Sequence, residues 1–418
     1  AIVAGSAALD LDPNDKDAHR ILGLVYAARA GSQDSQDSQV EADVELAVEH
    51  LERARNPVLP DAGLYLTLGR LYVATGQTEN AIEVLTEVLE AEPQFTQALA
   101  MLAAAHEARS EWSAAVAAYE RAVLLSPRRA RYRRRLAASL VNAGRRDRAL
   151  EVLRELVVVR QDDVGAWFQL AELELESDNY DAAETAARRV VELEPEGLRG
   201  SFMLSRVLGA TGRYRAMVDT LLPLVGRVRD SGSAPAQLAS LLQRLSAAYH
   251  SLGNLGQAVD ALTEAASLVP SNLALQVQLA QVYLEAGRLD EAAGIVARAR
   301  AARPESLALL RLQAQTLLAR GEVGDAVSLL EDARIQHADR PIAHVALAGV
   351  YSDNDRVDDA VQVLTEAEQR FPDSRLITFQ LGAVFERVRR YTEAEQAFRR
   401  VLDRNPDDAP TLNYLGYM

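Results

Sequence analysis

The densest chemical feature of this chain is the arginine run RRARYRRRLAA, Arg128–Ala138, with six guanidinium groups within eight residues. A guanidinium is a permanently charged planar fork whose N–H groups match the two oxygens of a carboxylate. The chemistry on offer is recognition of acids. Lys16 is the one lysine among 45 basic residues, so forked contacts are the general basic chemistry of the chain. Three readings of the run stand side by side: a solvated helix face whose arginines meet acids of adjacent segments, an anchor for an acidic protein segment, and a contact for RNA or anionic lipid.

Other chemistry is sparse. The histidines are His19, His50, His106, His250, His337 and His344, and no two take the spacing of a metal-binding pair on a helix. His106 and His250 read as structural, and His337 and His344 flank a turn rather than form a metal site. With 60 acidic residues, neighbours such as Asp162-Asp163 and Asp358-Asp359 arise from composition alone. There is no glycine-rich phosphate loop and no cysteine, so thiol chemistry and disulfides are excluded and the redox compartment stays open between cytoplasm and periplasm. The expectation is that this chain is not itself an enzyme and has no catalytic, cofactor or metal residues. Net charge −15 and pI near 5.0 argue against a general nucleic-acid binder. No apolar run approaches the ~20 residues of a membrane helix.

The elements that carry these residues repeat. Prolines at Pro93, Pro127, Pro195, Pro270, Pro304, Pro372 and Pro406 are spaced by 34 residues or twice that, except for one gap of 75. Within 62–95, AGLYLTLGRLYVATG and TENAIEVLTEVLEAEP place apolar residues three and four apart, which predicts two amphipathic helices, A and B. Leu68, Gly69, Tyr72, Gly76, Ala81, Leu85, Val88 and Pro93 recur as Leu279, Ala280, Tyr283, Gly287, Ala292, Val296, Ala299 and Pro304. The small residue at Gly69, Ala280 or Gly382 marks where helix A must approach helix B, and Tyr72 or Tyr283 fills the space beside it. Gly76, Gly253, Gly287 and Gly321 end helix A in a left-handed conformation. Such a period makes a stack of small units whose core is one ribbon of neighbour contacts.

This pattern resembles the tetratricopeptide repeat over essentially the whole chain. Eleven units are marked, from about 14–58 to 373–406, with partial repeats at both ends. AIVAGSAALDLDP matches the end of a helix B, and DDAPTLNYLGYM the start of a helix A, so the sequence reads as a piece of a longer array. The stretch Asn413–Tyr417 resembles a variant of bacterial repeat proteins. The resemblance implies an all-α, right-handed α-solenoid superhelix whose concave face is lined mainly by helix A and binds extended protein segments. Two insertions interrupt it: a polar loop over 31–42, and 226–236, where the helix B of the sixth unit runs past Leu224, breaks at Ser231-Gly232-Ser233 and gives way at Pro235. They suggest an N-terminal array 1–230 of a partial and about six repeats, and a continuous C-terminal array 236–418 of about five and a truncated one.

In this family helix A positions 2, 5, 9 and 12 face inward. That places Arg131, Arg134, Phe168, Arg199, Phe202 and Arg206 in one central patch, with arginine forks for carboxylates and aromatic anchors. Arg20, Leu66 and Arg70 are secondary positions near the start, Gln243, Gln281, Arg311 and Gln315 form a more neutral wall, and Phe379 follows. The lysine and asparagine set of chaperone-binding repeats is absent. The implied function is a protein-protein scaffold or adaptor for segments with acidic and apolar side chains. The alternatives are the recruiting arm of a larger enzyme or envelope-assembly machine, and an array that self-associates.

Overall fold

The computed structural model describes residues 1–31, 37–232, 235–304 and 306–417. Among the described residues it is all helix, with no strand, and it divides into two compact units, Ala1–Thr211 and Gly212–Met418. The first unit opens on α1 (Ile2–Leu11). Helix pairs follow: α2 (Lys16–Ala30) with α3 (Asp37–Ala54), α4 (Ala62–Ala74) with α5 (Thr78–Ala91), and α6 (Thr96–Ala108) with α7 (Trp112–Leu125). Next come α8 (Ala130–Asn142) with α9 (Arg146–Val159) and α10 (Val164–Glu176) with α11 (Tyr180–Leu193), then α12 (Leu198–Ala210).

The second unit opens on α13 (Tyr214–Ser231), followed by α14 (Pro235–Ser251) with α15 (Leu255–Leu268) and α16 (Leu273–Glu285) with α17 (Leu289–Ala302). It continues with α18 (Leu307–Ala319) and α19 (Val323–Gln336), α20 (Pro341–Asp353) and α21 (Val357–Arg370), and α22 (Arg375–Arg387) and α23 (Tyr391–Arg404), and closes on α24 (Ala409–Tyr417). Even-numbered helices from α2 onward are the A helices and odd-numbered ones from α3 onward the B helices.

Each A helix from α4 to α22 ends on one residue at positive φ: Gly76, Ser110, Gly144, Asp178, Gly212, Gly253, Gly287, Gly321, Asp355 and Arg389. At the nine turns other than that of Gly212, the next residue's N–H bonds back to the carbonyl five residues earlier, as Arg145 does to Leu140 at 2.8 Å and Arg390 to Phe385 at 2.9 Å. This left-handed cap satisfies carbonyls that the helix end would otherwise leave open. Glycine is the easy occupant, and four repeats hold the geometry without it.

The small position is equally literal. A methyl group on Gly69 would lie 2.8 Å from Leu85, on Gly23 2.6 Å from Leu51, and on Gly382 2.7 Å from Phe398. Around these contacts Leu64, Tyr65, Leu68, Leu85 and Val88 are fully buried in the first unit, and Leu330, Ala348, Leu364 and Ile377 in the second.

The structure corrects the loop expected over 31–42. Gly31 ends α2, but helix α3 already begins at Asp37, because Gln39 donates to Asp43 at 3.0 Å and Arg29 grips the buried Asp43 carboxylate through two N–H groups. That guanidinium holds the Asp43 carboxyl below its usual range. Residues 32–36 of the expected loop lie outside the described residues. At the second insertion α13 continues to Ser231 and ends at Gly232 with φ 62, and α14 begins at Pro235, while residues 233–234 lie outside the described residues. The compact units part at Thr211 and Gly212, ahead of that insertion.

Candidate binding groove

Turns of constant geometry keep A helices in register, so equivalent positions of successive repeats form a face with pockets between neighbours. In the first unit a pocket of about 400 Å³ opens across α4, α6 and α8. Leu66, Ala100, Met101 and Ala104 give it an apolar floor, and Arg129, Arg131 and Arg135 line it from α8. A second, of about 190 Å³, lies between α8 and α10, walled by Ala138, Val141, Gln169, Glu172 and Glu176. In the second unit a pocket of about 230 Å³ lies between α18 and α20, where Leu307, Leu310, Ile342 and Ala346 leave Arg311 as its one charged residue among the described residues.

Of the six central residues, Arg131 is exposed and lines the first pocket. Arg134 lies across the α10 backbone: a methyl group on Gly165 would stand 2.2 Å from its Nη1. Its Nε is 3.5 Å from Asp163 Oδ2 but makes no hydrogen bond. Asp163 Oδ1 meanwhile accepts from the Ala166 N–H at 3.0 Å and caps α10, so one carboxylate starts the helix and anchors the arginine. Phe168 is only half-open, because the Arg199 guanidinium sits 4.4 Å above its ring. Phe202 is also partly buried. Arg206 Nη1 donates to Glu172 Oε1 at 3.3 Å across one repeat. The structure thus joins the patch in pairs, Arg134 with Asp163, Arg199 with Phe168 and Arg206 with Glu172, and sets Arg131 with Leu66 in a pocket.

The secondary positions divide in the same way. Arg20 lies 3.7 Å from Asp61, the cap of α4, and Arg70 is exposed. In the second unit Gln243 Nε2 donates to Gln278 at 2.6 Å, Gln281 and Gln315 are exposed, and Arg311 opens on its apolar pocket. Phe379 is taken up by packing, its ring 5.7 Å from Phe398 and 5.5 Å from Tyr414 of α24.

Sequence reasoning placed Arg131, Leu66 and Ala100 inward, missed Met101, and did not single out Arg129 and Arg135 from the arginine run. The signal was present, because Met101, Arg135 and Gln169 share one position of helix A, one residue beyond the expected inward set. Arg135 bonds the Tyr119 hydroxyl at 3.2 Å and pairs with Glu107, which also accepts from Ser139 Oγ at 2.7 Å. The arginine run therefore splits. Arg134 and Arg135 have acids, whereas among the described residues Arg128, Arg129, Arg131 and Arg133 have no ion pair.

A second polar periodicity lies beneath the groove. The large residue near the end of helix A reaches the residue 20 positions earlier on the preceding helix B: Tyr72 to Glu52 at 2.6 Å, Tyr283 to Thr263 at 3.0 Å and Tyr351 to Glu331 at 2.6 Å. In the α9–α10 pair the same positions hold Arg154 and Glu174, joined by bonds of 2.8 and 3.1 Å. Glu174 is 1% exposed, and Asn179 supplies one more donor at 2.9 Å.

Five of the histidines meet neighbouring side chains. His106 Nδ1 is 2.6 Å from Glu111 Oε2, and His250 pairs with Glu285. His19 and His50 face each other at 2.8 Å between Nδ1 atoms, a pair the sequence concealed because the insertion in the first repeat shifts their register. His344 is buried against Phe371 with no hydrogen-bond partner on either ring nitrogen. Burial pushes both His50 and His344 down from the ordinary histidine value. Among the described residues no three histidines or carboxylates gather as a metal-holding group, and no helix is long and apolar enough to cross a membrane.

Comparison with protein-family models agrees with this architecture. Two family models, both described as tetratricopeptide repeat, match residues 66–133, 134–197, 168–216, 311–375 and 346–409 in one case and 249–316 in the other. Among curated proteins, lipopolysaccharide assembly protein B of Escherichia coli K12 is 23% identical over 198 residues, 47% of this chain. The match spans 42% of the length of that relative. Among solved structures, a tetratricopeptide repeat protein of Parabacteroides merdae aligns over 60% of this chain and 97% of its own at 16% identity and a TM-score of 0.43. Yeast Tom70 aligns over 94% of both chains at 16% identity and a TM-score of 0.42. With repeat models matching well over half its length, this chain belongs to the tetratricopeptide repeat family.

Proposed function

We propose that the chain is a protein-protein interaction scaffold that binds extended protein segments along its A-helix groove, with Arg131, Arg134, Phe168, Arg199, Phe202 and Arg206 as the central patch. Its mechanism is recognition rather than catalysis. The observation that supports it most is the pocket of about 400 Å³ across three successive A helices, apolar below and arginine-rimmed above. A surface held by packed helices is formed before its ligand arrives, so binding orders the ligand alone. Arginine forks would grip acidic side chains, and Phe168 under Arg199 would offer a flat apolar contact. The partners are proteins with acidic and apolar side chains in extended segments.

The experiment is affinity capture with the chain and with its Arg134→Glu/Arg206→Glu variant. Reversal at both sites leaves Asp163 and Glu172 without their arginines and turns the patch acidic. A partner held by the first and lost by the second, at equal helicity, supports the patch. Equal retention by both refutes it.

A second reading, the recruiting arm of an envelope-assembly machine, is favoured by the similarity to a lipopolysaccharide assembly protein. Its test is removal of this chain from the organism that encodes it. Altered lipopolysaccharide content would support the reading, and unchanged content would sink it.

A further inference from the structure

We infer that the first-unit groove reads charge and register together: a carboxylate side chain of an extended protein segment enters at Arg129 and Arg131, and an N–H group a few residues along binds Gln169. This rests on the groove reading above. In a chain of net charge −15 most arginines near the groove hold an acid: Arg134 has Asp163, Arg135 has Glu107, Arg146 has Glu176 and Arg206 has Glu172. Arg129 and Arg131 are exposed and have none among the described residues.

Their place sharpens the contrast. Both stand at the start of α8, which has no acidic residue in its first turn and no side-chain hydrogen bond from its cap residue Arg129. The positive end of a helix is where cations are least favourable and anions most. An arriving carboxylate relieves arginine repulsion and complements the helix end at once. Leu66, Ala100 and Met101 below it would take the aliphatic stem or an apolar neighbour.

The second contact comes from an independent observation. Gln169 lines the adjoining pocket, and its Oε1 is buried without a hydrogen-bond partner. An unpaired buried acceptor costs about 1–3 kcal/mol, and rotation of the Gln169 side chain into the pocket it lines would let a ligand N–H satisfy it. Both pockets share α8, the first through Arg131 and the second through Ala138 and Val141. At 1.5 Å per residue these points are ~10–15 Å apart, a span of roughly three to five residues of extended chain. A nucleic acid or an anionic membrane fits less well, because a continuous array of negative charge would run on to Glu172 and Glu176.

The test is selection of random phage-displayed dodecapeptides on the whole chain. Selected peptides, fluorescein-labelled, are then titrated by anisotropy, and the bound state is mapped by hydrogen exchange. Expected are an acidic residue in the selected sequences, protection of α4, α6, α8 and α10, and at least tenfold weaker binding to Arg129→Ala/Arg131→Ala. Gln169→Leu should weaken binding severalfold, and Arg399→Ala, on α23 of the second unit, should leave it unchanged. Protection of those helices by peptides without acids, indifferent to the arginine variant, overturns this inference and leaves the groove reading standing. Protection confined to other helices overturns both. No enriched peptide, or tighter binding of a single-stranded oligonucleotide or of phosphatidylglycerol vesicles than of any selected peptide, overturns the inference.

Discussion

The α8–α10 region of the first unit and the α18–α20 region of the second are built on the same repeat but present different surfaces. Both have a left-handed turn after helix A, at Gly144 and Asp178 in one and Gly321 and Asp355 in the other. Both have a small residue where the helices touch, Ala137 and Ala171 against Ala314 and Ala348. Yet the groove beside α8 is rimmed by arginines, whereas that beside α18 is leucine, alanine and isoleucine with one arginine among the described residues. Beneath it, the ion pair of the half-exposed Arg154 with the buried Glu174 stands where the second unit has the hydroxyl–carboxylate bond of Tyr351 and Glu331. Turn and seam positions carry the fold, and the positions between them are free to carry recognition.

The largest test of this contrast is at the polar pair. Arg154→Leu leaves the Glu174 carboxylate buried without its fork and should cost about 2–3 kcal/mol in urea unfolding, below the full cost of a broken buried pair because Arg154 is half exposed. Tyr351→Phe, which removes one hydroxyl, should cost about 1 kcal/mol. Equal costs would mean that the two repeats are held alike. Next is the groove: a selected acidic peptide should lose about tenfold in affinity, ~1.4 kcal/mol, with the Arg129/Arg131 variant. A comparable loss from charge reversal at Arg311 would erase the difference between the units.

A smaller effect tests what the repeats share. Gly144→Ala places a side chain at φ 74 with open space around it, so conformation alone should cost about 1 kcal/mol. Arg389→Gly, at φ 61, should gain a few tenths to about 1 kcal/mol. Opposite signs in thermal melts support one turn geometry throughout, and the same sign would refute it.

The smallest effect is acid sensitivity. His50 faces His19, Glu49 and Arg53, and His344 faces Arg334, Arg370 and Glu366. Folding lowers the pKa of each below 6.5, so below that pH the unfolded chain binds more protons than the folded one. Stability should be level above pH 6.5, fall as pH drops from there through the folded pKa values, and flatten in His50→Phe/His344→Leu. A wild-type profile equally flat between pH 7.5 and 5.5 would contradict the burial argument.

Much of the fold was legible because turn and seam need particular residues. Gly76, Gly253, Gly287 and Gly321 announced the left-handed turn, and Gly69 and Gly382 the close approach. Ser110 and Arg389 hold the same turn with no such mark, and only the 34-residue register exposes them. The first repeat was read less well, since the beginning of α3 looked like loop and the insertion hid the His19–His50 pair. In the groove, inward positions could be counted, but pairing could not. The partners of Arg134 and Arg206 come from the adjoining repeat, and side-chain packing rather than spacing decides that Arg206 meets Glu172 while Arg131 meets no acid.

The most direct test of groove recognition is site-specific photocrosslinking inside the organism that encodes the chain. A benzophenone amino acid is placed at Leu66 or Ala100 in the groove pocket, or at Leu124 or Val158, which are 81% and 72% exposed on B helices α7 and α9. The account predicts that both groove positions trap the same protein and that the B-helix positions do not. Trapping from Leu124 and Val158 alone would contradict it and move recognition to the opposite face.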